Sequence, residues 1–536
     1  MSQKPAVTIT EPASVAALIR LYQTNGPGKL RWDFSNSGRV TSLDQTLTAG
    51  ENGSLIGLEL IPTEDDNSIL KGVLKLADLA DLEVINLNGN NFSKLVLKNL
   101  PRLKVVKLGG SKLSKLKGLS ALPKLAELDL RDNKLTDISP LAALTGLTSL
   151  DFRGNEVNDL TPLAGLSSLV DLGLDLERPA DLGPLLTGLP ALKTLRLRSE
   201  TIKDWSFLSE LPPLIELKVS FGEEIAVLSL LASSASLTTL VSLDLHRNPM
   251  ISLWTDEDEE DELSEEEEGV DLSPLASLTA LTELKLSLSR ITNLSPLGSL
   301  TTLAKLDLRY GITDLSPLAG LTALTELRLC LNGIRDISPL AGLKALIELN
   351  LHNNPISDLS PLAGLTALIK LKLSRTWVRD LSPLAGLTAL VELDLYDSFN
   401  IEDHSPLAGL TALKKLSLGQ TFIRDLSPLA GLTNLVELDL NYYPFPTRGR
   451  YSCDLSPLAR LTALEELHLV SNQKLDLTPL SGLPALTTLI LEPNQLQKKN
   501  LAALARLPCL AELYTTADSD DFFRRNNLIN LVDGYR

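Results

Sequence analysis

The hexapeptide Ser-Pro-Leu-Ala-Gly-Leu occurs at 316–321, 338–343, 360–365, 382–387, 405–410 and 427–432, and near-copies begin at Ser139, Thr161, Ser273, Ser295, Ser456 and Thr478. Pro339, Pro361 and Pro383 are spaced by 22 residues, as are Pro140, Pro162 and Pro184. A unit this short cannot bury an apolar face by itself, so it must stack on its copies. The 536 residues, which would otherwise suggest three or four globular domains, therefore read as one long array.

The spacing inside one unit dictates its path. In Leu346-Ile-Glu-Leu349-Asn-Leu351-His-Asn-Asn354-Pro-Ile356 the leucines at 349 and 351 alternate with period two, which predicts a short strand with both side chains in the core. Asn354 stands where the chain must turn, and a buried amide there can bond the backbone of its own and the neighbouring unit. Ile356 re-enters the core, and proline in Asp358-Leu-Ser-Pro361 ends any strand. About 10 residues remain for the outer side, too few for more than 3₁₀ or irregular turn.

Indexed by the first leucine of each Leu-x-Leu or its equivalent, nineteen units fall at 85, 106, 128, 150, 172, 195, 217, 243, 284, 306, 327, 349, 371, 393, 416, 438, 467, 489 and 513. Trp32-Asp-Phe34 and Leu58-Glu-Leu60 read as two degenerate units before them. The pattern Leu-x-x-Leu-x-Leu-x-x-Asn at a 22-residue period resembles the bacterial leucine-rich repeats of internalins and of phosphatase-regulatory subunits, over roughly residues 30–515. The resemblance implies an α/β right-handed solenoid of about 19–21 coils, with a parallel β-sheet on the concave face and short 3₁₀ or turn segments on the convex face. Residues 1–29, with an amphipathic 11–22, are expected to cap the solenoid at one end and 516–536 at the other.

Departures from the period mark the places to look for function. An insertion at 254–270 carries Asp256 to Glu268, eleven carboxylates in thirteen residues. Such a run repels itself and is expected to stay solvated; it is a candidate contact for a basic partner. It lacks the alternating ligands and central glycine of a calcium loop. A second insertion, 441–453, brings Tyr442, Tyr443, Phe445 and Tyr451 together with two arginines, in a chain only 4% aromatic. Six positions after the index leucine, three successive coils carry Trp377, Phe399 and Phe422, where other coils hold Gly333 or Pro355. Stacking would align these rings along one edge. Together with Tyr396 they form an expected partner-binding edge, bordered by Glu392, Asp394, Glu437 and Asp439. The alternative reading has the rings pack against their own coils.

Charges flanking the strand leucines alternate in sign, as in Lys370, Glu392, Lys415 and Glu437, and should offset one another across strands. The net charge of −17 argues against tracking nucleic-acid phosphates or docking on an anionic bilayer. Four histidines on non-adjacent coils offer no metal-ligand spacing, and three cysteines make no disulfide framework. Cys509 fills a small-residue slot taken as core, and Cys330 lies on a strand with its thiol open to solvent.

No nucleophile or phosphate-binding motif is present, so no catalytic, cofactor or metal site is expected. No secretion signal or membrane span is seen, and three cysteines suit a reducing compartment, so a soluble cytoplasmic protein is the expectation. The sequence thus points to a non-enzymatic scaffold that binds a protein partner through the concave face and the aromatic edge of the solenoid. Its resemblances add two alternatives: a regulatory or inhibitory subunit of a cytoplasmic enzyme, and an exported or surface binder of internalin type.

Overall fold

The computed structural model describes residues 79–116, 118–175, 182–199, 211–221, 235–247, 270–287, 291–421, 423–441, 453–470, 475–492 and 495–516, with Phe207. It also gives the strands Val7–Thr8, Lys29–Asp33, Leu43–Ala49, Leu55–Pro62, Lys71–Ala77 and Arg525–Asn527. The chain divides into two compact units, 1–262 and 263–536, and the division falls within the acidic run.

Both units are leucine-rich-repeat solenoids of short parallel strands and outer 3₁₀ turns. We name each coil by its index residue. In the first unit nine strands follow one another in register, from Leu58↔Ile85 to Leu217↔Leu243. In the second, eleven run from Leu284↔Leu306 to Leu489↔Leu513. Leu58-Glu-Leu60 is thus a true coil strand. Trp32 is not: Lys29–Asp33 pairs antiparallel with Lys71–Ala77 in a separate three-stranded sheet.

The core repeats every coil. Leu349, Leu351, Ile356, Leu359, Leu362, Leu365 and Leu368 are each at most 1% exposed. Burying each such side chain contributes about 1.5–3 kcal/mol, and every coil supplies this to its neighbours. Asn354 does what its position predicts. Its amide nitrogen donates to the carbonyls of Leu329 at 2.7 Å and Leu351 at 3.0 Å, and its oxygen accepts from the Ile334 N–H at 3.1 Å. Asn133, Asn155 and Asn332 make the same bonds in their coils.

The outer side is built by Asp-x-Ser-Pro. Asp358 accepts from the Ser360 N–H at 2.8 Å and from its hydroxyl at 2.9 Å, which turns the chain into 3₁₀ helix Ser360–Leu362. Proline lacks the N–H that the first turn would leave unbonded. Most coils follow this plan, with exceptions set by length and composition. Short α-helices, Leu182–Thr187 and Lys498–Leu504, occupy the outer side before the Leu195 and Leu513 coils. In the Ile85 coil the outer side is instead a strand, Asn91–Lys98, paired with Lys71–Ala77; that segment buries Phe92, Leu95 and Leu97 and has no Ser-Pro.

One edge of each unit is covered by an antiparallel strand. Leu43–Ala49 pairs antiparallel with the first coil strand, and Arg525–Asn527 pairs antiparallel with the last. Covering an edge removes a template for pairing with other chains. The expected helix at 11–22, the acidic run and most of the 441–453 insertion lie outside the described residues.

Candidate functional site

Register decides which face each side chain reaches. Residues one before, one after and three after the index leucine line the concave sheet face, whereas the sixth residue after it lies at the edge. Trp377 and Phe399 are six after Leu371 and Leu393 and are 48% and 53% exposed. At the fifth position of these coils, Thr376 and Ser398 replace the ladder asparagine and hydroxyl-bond the Leu373 carbonyl at 2.6 Å and 3.0 Å. Phe422, Tyr442, Tyr443, Phe445 and Tyr451 lie outside the described residues.

The edge extends toward lower residue numbers than the sequence suggested. A groove of about 540 Å³ is lined by Tyr310, Leu331, Gly333, Arg335, Pro355 and Trp377 among others. The Arg335 guanidinium carbon sits 5.2 Å from the Trp377 ring centroid. Tyr310 and Leu331 are exposed because they occupy the fourth position, where the backbone turns left-handed, with φ 69° and 59°. A bulky apolar residue in that conformation was the available signal.

Tyr396 does not join this edge. Three after Leu393, it lies half-buried on the concave face and lines a second concavity, of about 730 Å³, with Glu392, Asp394, Glu437 and Asp439. The ring lies over Gly419: a Cβ there would come within 2.8 Å of Tyr396 Cδ2. Burial raises the Tyr396 phenol and the Asp439 carboxyl above their ordinary values.

Charge pairing on this face is mostly internal. Lys415 bonds Glu437 at 2.6 Å, Lys305 bonds Glu326 at 2.6 Å, and Lys372 approaches Glu392 at 3.5 Å, so the sign alternation offsets itself as expected. His352 Nδ1 meets the Ser374 hydroxyl at 2.7 Å, and that hydroxyl donates to Asp394 at 2.9 Å. This order places serine between histidine and aspartate, so the hydroxyl proton is directed at the carboxylate and away from the imidazole. The arrangement orients the three side chains, and it differs from the order in which histidine accepts the serine proton.

The cysteines reverse the expectations. Cys330 is buried, 7% exposed, and its thiol is pushed up by burial; Cys509 is exposed. The slot of Cys509 lies on the outer turn, where Ala367 of another coil is exposed too. A small residue suits that turn without being core. Among the described residues, no group of acidic, histidine and cysteine side chains has a metal-holding geometry, and no helix is long and apolar enough to cross a membrane.

Residues 123–165 and 322–364 match a family model for leucine-rich repeats. No curated protein matches the chain by sequence. Among known structures, a leucine-rich-repeat protein of Leptospira interrogans is 21% identical with TM-score 0.50, covering 75% of this chain and 92% of that one. An internalin of Listeria monocytogenes is 27% identical over 68% of this chain and 86% of its own, with TM-score 0.42. A plant peptide hormone receptor is 17% identical over 90% and 97%, with TM-score 0.41. The 22-residue register, the stacked parallel strands and the two matched segments agree on the fold: this chain is built as a leucine-rich-repeat solenoid.

Proposed function

We propose that the chain is a non-enzymatic scaffold that binds a protein partner through the second unit, using the edge around Trp377 and Phe399 and the adjoining concave strands. The observation that carries this reading is the pair of half-exposed rings on adjacent coils, in a protein whose strand leucines are buried. Large rigid rings deliver apolar burial at little entropy cost, so a few of them can dominate an interface. The alternating charges beside them set orientation and on-rate more than affinity. Cys330, Cys453 and Cys509 are all unpaired, which supports work in a reducing compartment.

The test is affinity capture with mass spectrometry, followed by titration of the captured partner against two variants. Trp377→Ala with Phe399→Ala should weaken binding by about tenfold or more, as truncation of aromatic anchors does. Deletion of 256–268 should leave affinity at physiological salt nearly unchanged. Unaltered binding by a folded double-alanine variant would refute the edge.

A further inference from the structure

The concave face repeatedly shows how an aspartate one residue after the index leucine is satisfied. Two residues on, the same strand supplies an arginine, and the guanidinium grips both carboxylate oxygens. Arg131 bonds Asp129 at 3.0 and 2.8 Å, Arg153 bonds Asp151 at 3.0 and 2.7 Å, and Arg309 bonds Asp307 at 3.2 and 3.3 Å. Asp394 and Asp439 occupy the same register position, but Tyr396 and Asn441 stand where the arginine would be.

Among the described residues, each of these two carboxylates receives a backbone N–H and a serine hydroxyl and nothing more. Asp394 accepts from the Tyr396 N–H at 3.0 Å and Ser374 at 2.9 Å; Asp439 accepts from the Asn441 N–H at 2.9 Å and Ser417 at 3.3 Å. The lysines and arginine nearby are engaged elsewhere, Lys372 with Glu392, Lys415 with Glu437 and Arg375 with Asp397, and His468, across the sheet from Asp439, turns its Nε2 to Glu466. Among the described residues neither aspartate makes an ion pair. Between them the Leu416 coil presents Gly419, which leaves room for the Tyr396 ring to lie over the strand beside Asp439. A Cβ at that spot would meet the Tyr396 ring on one side at 2.8 Å and Asp439 Oδ2 on the other at 3.2 Å.

We infer that this concavity is a socket for an arginine side chain presented by an extended segment of a protein partner. The partner's guanidinium takes the place that Arg131, Arg153 and Arg309 fill within this chain, bonding the aspartates as a planar fork and stacking on Tyr396. Lysine, a hydrated point charge, cannot reproduce the fork. At about 730 Å³ the space admits the residues flanking the arginine as well.

This inference rests on the protein-binding reading above, and its test separates the two. The probe is a phage-displayed library of random twelve-residue peptides, selected on the full chain. Arginine-containing peptides should be enriched. In a selected peptide, replacing arginine by lysine or citrulline should weaken binding about tenfold or more. Asp394→Asn with Asp439→Asn should erase that discrimination, whereas Trp377→Ala should weaken binding without erasing it. Tyr396→Arg restores the Asp-x-Arg pairing from within; it should keep the thermal midpoint and abolish binding of the arginine peptide. Selected peptides with no arginine dependence, no selected peptides at all, or full binding by Tyr396→Arg would each overturn the socket. The affinity-capture experiment judges the protein-binding reading independently of these results.

Discussion

The side-chain nitrogen of Asn354 donates to the carbonyl oxygen of Leu329, in the preceding coil, at 2.7 Å. One amide thereby joins two coils at a depth where it is only 2% exposed. Asn354→Ala would take from the Ile334 N–H and the Leu351 carbonyl the partner each has in a dry core, while the Leu329 carbonyl would keep only its bond from Asn332. It should cost about 3 kcal/mol, the sum expected when buried polar groups lose their partners. Asn354→Thr, the change this chain itself carries at Thr376, should cost about half as much, because a hydroxyl can still reach its own coil. Denaturant midpoints and amide exchange at Ile334 check both values.

The left-handed fourth position gives a test with opposite signs. Gly154 adopts φ +75°, and a Cβ there would lie 2.2 Å from Asp132 Oδ1 and 2.8 Å from the Asp132 backbone nitrogen. Gly154→Ala should therefore destabilise by about 2 kcal/mol or more. Leu331 holds φ 59° with no such allowance for its side chain. Leu331→Asn, matching Asn353 one coil on, should stabilise by about 0.5–1 kcal/mol. A thermal midpoint that falls for Leu331→Asn would refute the strain.

The fold was legible because a strict period leaves one way to bury the leucines, and Asn354 could be given its role from position alone. What the sequence hid was which face a residue reaches when register, not proximity, decides. Tyr396 and Phe399 are three residues apart, yet one lines the concave face and the other the edge. Tyr310 escaped notice because its exposure follows from a backbone angle. The socket between Asp394 and Asp439 is visible only against its filled counterparts at Asp129, Asp151 and Asp307. That comparison needs the side-chain geometry. The outer strand of the Ile85 coil was missed because the regular Ser-Pro turn was extended to a coil that lacks it.

His404 should make the protein acid-sensitive in a defined window. It takes the place of the leucine that precedes Ser-Pro in neighbouring coils and is 7% exposed, with Nε2 buried and unbonded among the described residues. Burial lowers its pKa from 6.5 to about 4. With the folded value depressed, the unfolded chain binds more protons between these values. Stability is therefore full above pH 6.5 and lost as pH falls towards about 4, by roughly 3 kcal/mol. The turn aspartates, such as Asp314 and Asp380, are lowered by their serine bonds and add a separate loss only below the ordinary value of 3.8. His404→Leu should stabilise at pH 7 and remove its own share of the loss between pH 6.5 and 4, leaving that of His352, whose pKa burial also lowers. A pH profile of the thermal midpoint that matches the unmodified protein would contradict this.

Proteolysis should separate the two units at the acidic run. In a stack, each coil is held only by its neighbours, so a break is expected where the repeated interface is interrupted. The coils over 316–437 are near-copies with matched strands, and each presents the same leucines to the next. The division between 262 and 263 falls instead among eleven carboxylates within thirteen residues, with Leu263 alone to offer apolar surface. Like charges at that density oppose compaction. Brief digestion with a glutamyl endopeptidase should cut first within 255–269 and leave two resistant fragments of similar size. A first cleavage inside 316–437 would show that the weak point lies within the regular coils.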